Sequence, residues 1–219
     1  MKPARHFVFD AYGTLFDVHS PVARLADSIG PNASELSQTW RTKQLEYTWF
    51  HTATGRYRSF RELTAESLDF AIARHGGVPP GVRDKLLEAY RTLAAYPEVA
   101  AVLAALRTRG ANLAILSNGD PDMLHEAIAA AGLSGAFDAV LSVSAAGTYK
   151  PAMTVYALAS EHFGVAPAAI SFQSSNRWDI AGARAFGFRT AWINRTGAPD
   201  EYRDLSPDTV LSDLTGLIG

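Results

Sequence analysis

The sequence predicts an α/β fold: a Rossmann-like core built on a parallel sheet, with an α-helical cap domain inserted after the first strand. From Tyr96 onward, short β-rich runs alternate with helical segments, which implies a parallel sheet with right-handed crossovers. Another β-rich run lies at residues 7–9, and the block that follows it is helical in pattern throughout. We therefore expect a core domain of residues 1–15 and 96–219 and a cap domain of residues 16–95.

The block of residues 16–95, called the cap segment below, contains helices separated by Gly, Pro and Asn. Their predicted bounds are Pro21–Ile29, Ser34–Thr52, Ser59–His75 and Pro80–Ala95. After Tyr96 the predicted strands are Leu113–Leu116, Ala139–Val143, Ile170–Gln173 and Thr190–Ile193. The helices between them are Val99–Arg109, Pro121–Ala131, Thr154–Phe163 and Ile180–Phe186, and each of these four is followed by a glycine within one or two residues, as helix ends commonly are.

Composition excludes several classes of function. The formal charge of −2 and the lack of Lys/Arg runs argue against a nucleic-acid partner. The chain has no cysteine, which excludes disulfides, thiolate nucleophiles and Cys-based metal sites. No apolar run approaches the roughly 18 residues that span a bilayer, so we expect no membrane association. These properties predict a soluble, cytoplasmic protein.

The strand at residues 7–9 ends in Asp10, and a Gly13-Thr14 turn follows. In open α/β sheets, ligands bind at the carboxyl ends of the strands, where this carboxylate is expected to lie. An aspartate is ionised at neutral pH and can attack carbon or phosphorus without a base. Taken alone, the motif fits a turn or helix-capping aspartate equally well.

Polar residues also follow three other predicted strands. Ser117 and Asn118 precede a helix start that can offer backbone N–H groups to an anion. Lys150 follows the next strand, and the residues from Ser174 to Asp179 follow the one after it. Each alone is more often a helix cap or a solvated charge, but capping does not explain four such groups on successive strand ends. Together they predict one catalytic cleft.

Several longer motifs, spread over nearly the whole chain, resemble those of one known protein family. They are Asp10-Ala11-Tyr12-Gly13-Thr14-Leu15, Trp40-Arg41, Lys43-Gln44-Leu45-Glu46-Tyr47, Leu116-Ser117-Asn118-Gly119, Tyr149-Lys150-Pro151, Val155-Tyr156, Ser174-Ser175-Asn176, Trp178-Asp179 and Ala191-Trp192-Ile193-Asn194-Arg195. They resemble the haloacid dehalogenase superfamily and, within it, the L-2-haloacid dehalogenases (type II). Superfamily phosphatases carry a general acid where this chain has Tyr12, and a Mg²⁺-binding carboxylate where it has Ser174 and Ser175. The resemblance thus implies a site without metal or other cofactor, with Lys150 as the local positive charge.

The resemblance implies a two-step displacement. Asp10 attacks the α-carbon of an L-2-haloacid, expels halide and forms an ester with inversion; water then releases a D-2-hydroxy acid. Asp179 is the expected base for the water, oriented by Lys150 and Asn176, with Ser175 in support. Thr14 is expected to bond the nucleophile.

The resemblance also implies roles in substrate binding. Lys150 and Ser117 are expected to hold the substrate carboxylate, and Arg41 with Asn118 to receive the halide. The remaining expected contacts are the apolar walls Tyr12, Leu45, Phe60 and Trp178, the hydrogen-bond donor Tyr156 beside Lys150 and Asp179, and the strand-end Ser174.

Three alternatives stay open. A small-molecule phosphatase would need Mg²⁺ and a general acid at position 12. A hydrolase of another activated α-substituted acid, such as a small-ring imino acid, would use the same Asp10 displacement. A non-catalytic binding module would have kept the fold without the chemistry. The resemblance further implies a homodimer.

Overall fold

Within residues 5–219, which the structure (a computed structural model) describes, six strands form one all-parallel sheet. They are β1 (His6–Phe9), β2 (Asn112–Ser117), β3 (Ala139–Ser142), β4 (Ile170–Ser174), β5 (Arg189–Ile193) and β6 (Thr209–Leu211), in the spatial order β3-β2-β1-β4-β5-β6. Because β2 and β4 flank β1 on opposite sides, the strand order reverses at β1. Ligands bind at such a reversal in open α/β sheets.

The three central strands, β1, β2 and β4, are largely buried, as expected of a parallel sheet covered by helices. In β2, residues 113–117 are all buried, and Val8 and Phe9 of β1 are fully buried. The core helices are α6 (Val99–Thr108), α7 (Pro121–Ala130), α8 (Met153–Phe163) and α9 (Arg177–Phe186). The predicted parallel α/β sheet is confirmed.

The cap segment carries the other α-helices. They are α1 (Ser20–Arg24), α2 (Ala26–Ile29), α3 (Ala33–Thr54), α4 (Phe60–Arg74) and α5 (Val82–Arg91). The two connecting segments that join the cap segment to the sheet run side by side. The Tyr96 N–H donates to Leu15 O (3.0 Å) and the Asp17 N–H to Ala94 O (2.8 Å). The division into two domains at this crossing stays a prediction. In the described part of the chain, no helix combines the length and apolarity that crossing a bilayer requires.

Three sequence predictions of element bounds were wrong. The helix expected over 21–29 is two short helices that meet at Leu25, and the helix expected over 80–95 reaches only from Val82 to Arg91. The last core helix begins at Arg177 rather than at Ile180. As a result Asp179 lies in the first turn of α9 and not in a loop.

Candidate active site

Asp10 lies at the carboxyl end of β1, where its N–H donates to Gln173 O of β4 at 2.9 Å. Asp10 is 5% exposed, and its carboxylate accepts three hydrogen bonds at Oδ2. The donors are Thr14 Oγ1 (3.0 Å), Asn176 Nδ2 (2.9 Å) and Ser174 Oγ (3.4 Å). A carboxylate with this many fixed donors has one orientation, which a nucleophile needs.

Lys150 bridges two carboxylates that are far apart in sequence. Its Nζ lies 3.1 Å from Asp10 Oδ1 and 2.8 Å from Asp179 Oδ2. The Tyr156 hydroxyl donates to the other Asp179 oxygen, Oδ1, at 2.8 Å. Lys150 is 1% exposed and Asp179 is fully buried. Of the four strand-end groups that the sequence predicted to converge, Asp10, Lys150 and Asp179 are in direct contact.

This buried cluster has two carboxylates for one ammonium group, so it carries one excess negative charge. Burial, reinforced by the charge of Asp10, raises the pKa of the Asp179 carboxyl to about 6. Burial lowers the pKa of Lys150, but the two carboxylates outweigh burial and the net shift is upward. Burial likewise raises the pKa of Tyr156 well above its ordinary value, which keeps its hydroxyl a neutral donor. All three groups therefore hold their protons more tightly than in water, Asp179 and Tyr156 chiefly because they are buried and Lys150 because of the two carboxylates.

The loop after β2 closes one side of this cluster. Asn118 Oδ1 accepts from the Lys150 N–H at 3.1 Å, and Ser117 Oγ accepts from the Gly119 N–H at 3.1 Å. A Cβ on Gly119 would stand 2.6 Å from the Tyr12 ring, so this close approach requires glycine. Asn118 is thus held against the Lys150 backbone, while the Ser117 hydroxyl is bonded within its own loop.

Arg41 reaches this site from the cap segment. It lies on α3, and its Nη2 donates to Tyr12 O (3.1 Å) and to Asn176 Oδ1 (3.4 Å). Its Nη1 donates to Gln44 Oε1 at 2.9 Å. Since Asn176 also bonds Asp10, the guanidinium is one side chain away from the expected nucleophile.

Two of the four expected apolar walls are in contact. The rings of Tyr12 and Phe60 are buried, with their centroids 5.2 Å apart. Leu45 is half-buried on α3. Trp178 packs edge-on against Trp49, 5.5 Å between centroids, and lines an apolar groove of about 530 Å³. The aromatic contact of Trp178 is thus with Trp49, and not with the predicted wall residues Tyr12 and Phe60.

The prediction that Asn176 orients Asp179 was wrong, because the Asn176 side chain bonds other groups. The Asn176 side chain bonds Asp10 and Tyr12 O (3.4 Å), while the Asp179 carboxylate is held by Lys150 and Tyr156. The cause is the early start of α9: Asn176 is its N-cap residue, and its side chain leaves the helix end to reach β1. The Ser175 N–H donates to Thr14 Oγ1 at 2.8 Å, and among residues 5–219 the buried Ser175 hydroxyl has no hydrogen-bond partner.

Sequence reasoning missed Asp120, which joins the β2 loop to the cap segment. Its carboxylate accepts the first N–H groups of α4, from Phe60 (3.2 Å) and Arg61 (2.8 Å). This acceptor caps α4 from across the molecule and fixes Phe60 beside Tyr12. The only signal in the sequence is an Asp before Pro121, which is typical of a cap for the helix that follows it, α7.

We expect Asp120→Ala to lower the free energy of unfolding by about 1–3 kcal/mol, because the buried Phe60 N–H and the partly buried Arg61 N–H lose a charged acceptor. Urea unfolding measures the change. Asp122→Ala is the matched control: Asp122 pairs with Arg61 at 2.7 Å but its side chain is 62% exposed, so little change is expected. Equal effects of the two substitutions would contradict this role for Asp120.

Comparison with known proteins identifies the family. A family model of haloacid dehalogenase-like hydrolases matches residues 4–187. The chain belongs to the haloacid dehalogenase-like hydrolases. It is 46% identical to (S)-2-haloacid dehalogenase 1 of Pseudomonas sp. (strain CBS-3) over 218 residues, 99% of this chain and 96% of the relative. It is also 46% identical to (S)-2-haloacid dehalogenase 4A of Burkholderia cepacia, over 90% of this chain and 86% of the relative.

Solved structures of these hydrolases have the same fold. The L-2-haloacid dehalogenase of Xanthobacter autotrophicus with chloropropionic acid covalently bound superposes with a TM-score of 0.87 at 38% identity, covering 98% of this chain and 97% of that one. The resemblance to haloacid dehalogenases read from the motifs is confirmed, and the chain is an enzyme of this hydrolase family.

Proposed function

We propose that this protein hydrolyses short-chain L-2-haloacids to D-2-hydroxy acids and halide through an ester on Asp10. The observation that carries the proposal is the Asp10 carboxylate itself, bonded by Thr14 and Asn176 and paired with Lys150 at 3.1 Å. Relatives named (S)-2-haloacid dehalogenase and a related structure with covalently bound chloropropionic acid support it.

In the first step, an Asp10 oxygen displaces the halide from the α-carbon: the new C–O bond forms as the C–halogen bond breaks, and the halide leaves with the bonding electrons. Thr14 and Asn176 hold the carboxylate for this attack. Arg41 stabilises the departing anion, with Asn118 contributing beside Lys150. Because halide leaves as a stable anion, no general acid is needed, and Tyr12 serves as an apolar wall.

In the second step, water attacks the carbonyl carbon of the Asp10 ester while Asp179 takes a proton from it. The bond between that carbon and the substrate oxygen then breaks, the leaving alkoxide takes the proton from Asp179, and the D-2-hydroxy acid departs. The second water proton is lost to solvent as the Asp10 carboxylate re-forms. Esterification removes the Asp10 charge, so Asp179 is then the one ionised carboxylate of the enzyme in this cluster, 2.8 Å from the Lys150 ammonium. This change lowers the pKa of Asp179 relative to the free enzyme and keeps the base ionised at neutral pH. Tyr156 orients it, and the Ser175 hydroxyl is available to the substrate.

The assay that tests the proposal measures chloride released from L- and D-2-chloropropionate separately, with EDTA present. Chloride from the L-enantiomer alone, lost in Asp10→Asn, is the expected result. No chloride from either enantiomer would overturn the assignment. Ring opening of a small-ring imino acid and phosphatase activity with Mg²⁺ restored are then the assays for the two alternative activities.

The pH dependence of the second step follows from the state of Asp179. Only the ionised carboxylate accepts a proton, so ester hydrolysis slows as the pH falls through the pKa of Asp179. That pKa is about 6 in the free enzyme and lower once Asp10 is esterified. We expect single-turnover hydrolysis to lose activity with a midpoint below pH 6, and Tyr156→Phe to move the midpoint upward because one donor to Asp179 is lost. A pH-independent rate from pH 4 to 8 would contradict Asp179 as the base.

We further propose a homodimer, as the resemblance implies. Large apolar side chains exposed on this chain, Trp49, Phe50, Met153 and Tyr202, are surface that a second copy would cover. Sedimentation equilibrium gives the molar mass directly, and a mass equal to one chain at micromolar concentration would exclude a stable dimer.

A further inference from the structure

Gln44 lies under Arg41 in the cap segment, three residues further along α3. It is 1% exposed, and its amide bonds three different side chains. Oε1 accepts from Arg41 Nη1 at 2.9 Å; Nε2 donates to Thr64 Oγ1 at 2.7 Å and lies 3.0 Å from the Tyr90 hydroxyl. A buried glutamine with this many partners cannot change its orientation without breaking several hydrogen bonds.

The orientation of the Gln44 amide is set by its neighbour on α4. Thr64 Oγ1 donates its one proton to Phe60 O at 2.7 Å, so toward Gln44 it can only accept. The nitrogen of the Gln44 amide therefore faces Thr64, and its oxygen faces Arg41. A directed chain of hydrogen bonds runs from the start of α4 to the guanidinium.

The far side of the guanidinium is held by the core. Arg41 Nη2 donates to Tyr12 O, beside the nucleophile, and to Asn176, which also bonds Asp10. Gln44 thus holds the Arg41 guanidinium from the cap segment. The other hydrogen bonds of the guanidinium go to Tyr12 O, two residues after Asp10, and to Asn176, which bonds Asp10. Tyr90, which shares the Gln44 amide, also stacks on Tyr12, with centroids 5.7 Å apart and rings inclined by 16°.

We propose that Gln44 is a positioning residue for halide expulsion, which orients Arg41 toward the leaving group and leaves its charge undiminished. The inference rests on the proposed function, in which Arg41 receives the halide. An amide suits this position because it accepts a hydrogen bond without carrying charge. A carboxylate there would accept the same bond but would pair with Arg41 and weaken its attraction for a departing anion.

The test compares halide release in single turnovers of L-2-chloropropionate and L-2-bromopropionate. Gln44→Met removes the acceptor, and Gln44→Glu keeps it but adds a negative charge; both have nearly the size of glutamine. Because chloride is the poorer leaving group, we expect release of chloride to fall about 10- to 100-fold in both variants and release of bromide to fall less. In Gln44→Met the cause is the loss of a hydrogen bond to a charged group, and in Gln44→Glu it is the pairing of the new carboxylate with Arg41. The ratio of the two rates therefore changes.

Ser67→Ala is the matched control, since its buried hydroxyl donates to Thr64 O at 3.1 Å in the same helix and touches no part of Arg41. We expect this variant to leave the chloride-to-bromide ratio unchanged. Equal losses for both halides in the Gln44 variants, or no loss in either, would overturn the inference while the wild type stays active. A wild type that releases neither halide would overturn the proposed function and this inference with it.

Discussion

Replacing Asp179 by asparagine is expected to stop the reaction at the Asp10 ester. The first step needs no base, so each active site should still release one equivalent of halide. The second step loses the group that takes the proton from water, and steady-state turnover should fall about 10²–10⁴-fold. The fold should persist, because Lys150 keeps Asp10 as its counterion at 3.1 Å.

Intact-protein mass spectrometry after incubation with L-2-chloropropionate measures this directly. We expect Asp179→Asn to gain one carboxyethyl group, and the double variant that also carries Asp10→Asn to gain none. Wild-type protein should show little adduct, since it hydrolyses the ester. Turnover near the wild-type rate in Asp179→Asn would show that another group activates the water.

Replacing Lys150 by methionine is expected to have the largest effect on stability. Asp10 and Asp179 would then be two buried carboxylates without their shared cation, and breaking a buried ion pair in this way costs about 3–5 kcal/mol. The raised pKa of Asp179 rises further in this variant. A raised folded-state pKa means that the folded protein binds the proton more tightly than the unfolded chain, so stability is gained at low pH and lost as the pH rises.

Urea unfolding at pH 5 and pH 8 tests both parts of this expectation. Lys150→Met should be less stable than wild type at both values and further below it at pH 8. Lys43→Met is the matched control: Lys43 pairs with Glu46 at 2.7 Å, but both side chains are partly exposed, and almost no change is expected. A loss that is the same at both pH values would mean that the two carboxylates do not share the Lys150 charge.

The elements that the sequence predicted well have a clear apolar pattern. β2 is an apolar run and β4 alternates Ile170 and Phe172 with polar residues; each of their ends differs from the prediction by at most one residue. β6 was missed because it is a three-residue edge strand, too short to show a period. The start of α9 was missed because residues 176–179 are mostly polar. Arg177 is nevertheless buried, since it pairs with Asp200 (2.6 Å) and donates to two carbonyl groups.

The candidate site was predictable for a specific reason. The carboxyl ends of parallel strands share one edge, so any polar residue that directly follows a buried strand is brought to the same place. Asp10 and Ser117 satisfy this rule, and they were found from position alone. Lys150 lies eight residues beyond the end of β3, so its position in the chain gave a weaker signal. Arg41 and Tyr156 lie on helices, where a polar side chain gives no such signal; only the resemblance to a known family pointed to them.

Chain position therefore specified which groups stand at the edge of the sheet, while their hydrogen-bond partners depended on how the helices pack over it. Asn176 turned to Asp10 rather than Asp179, and Asp120 capped a helix 60 residues earlier in the chain instead of its own. Strand order and apolar period are local properties that a sequence displays. A side-chain hydrogen bond depends on atoms within about 3 Å, and that distance is set by the packing of residues remote in the chain.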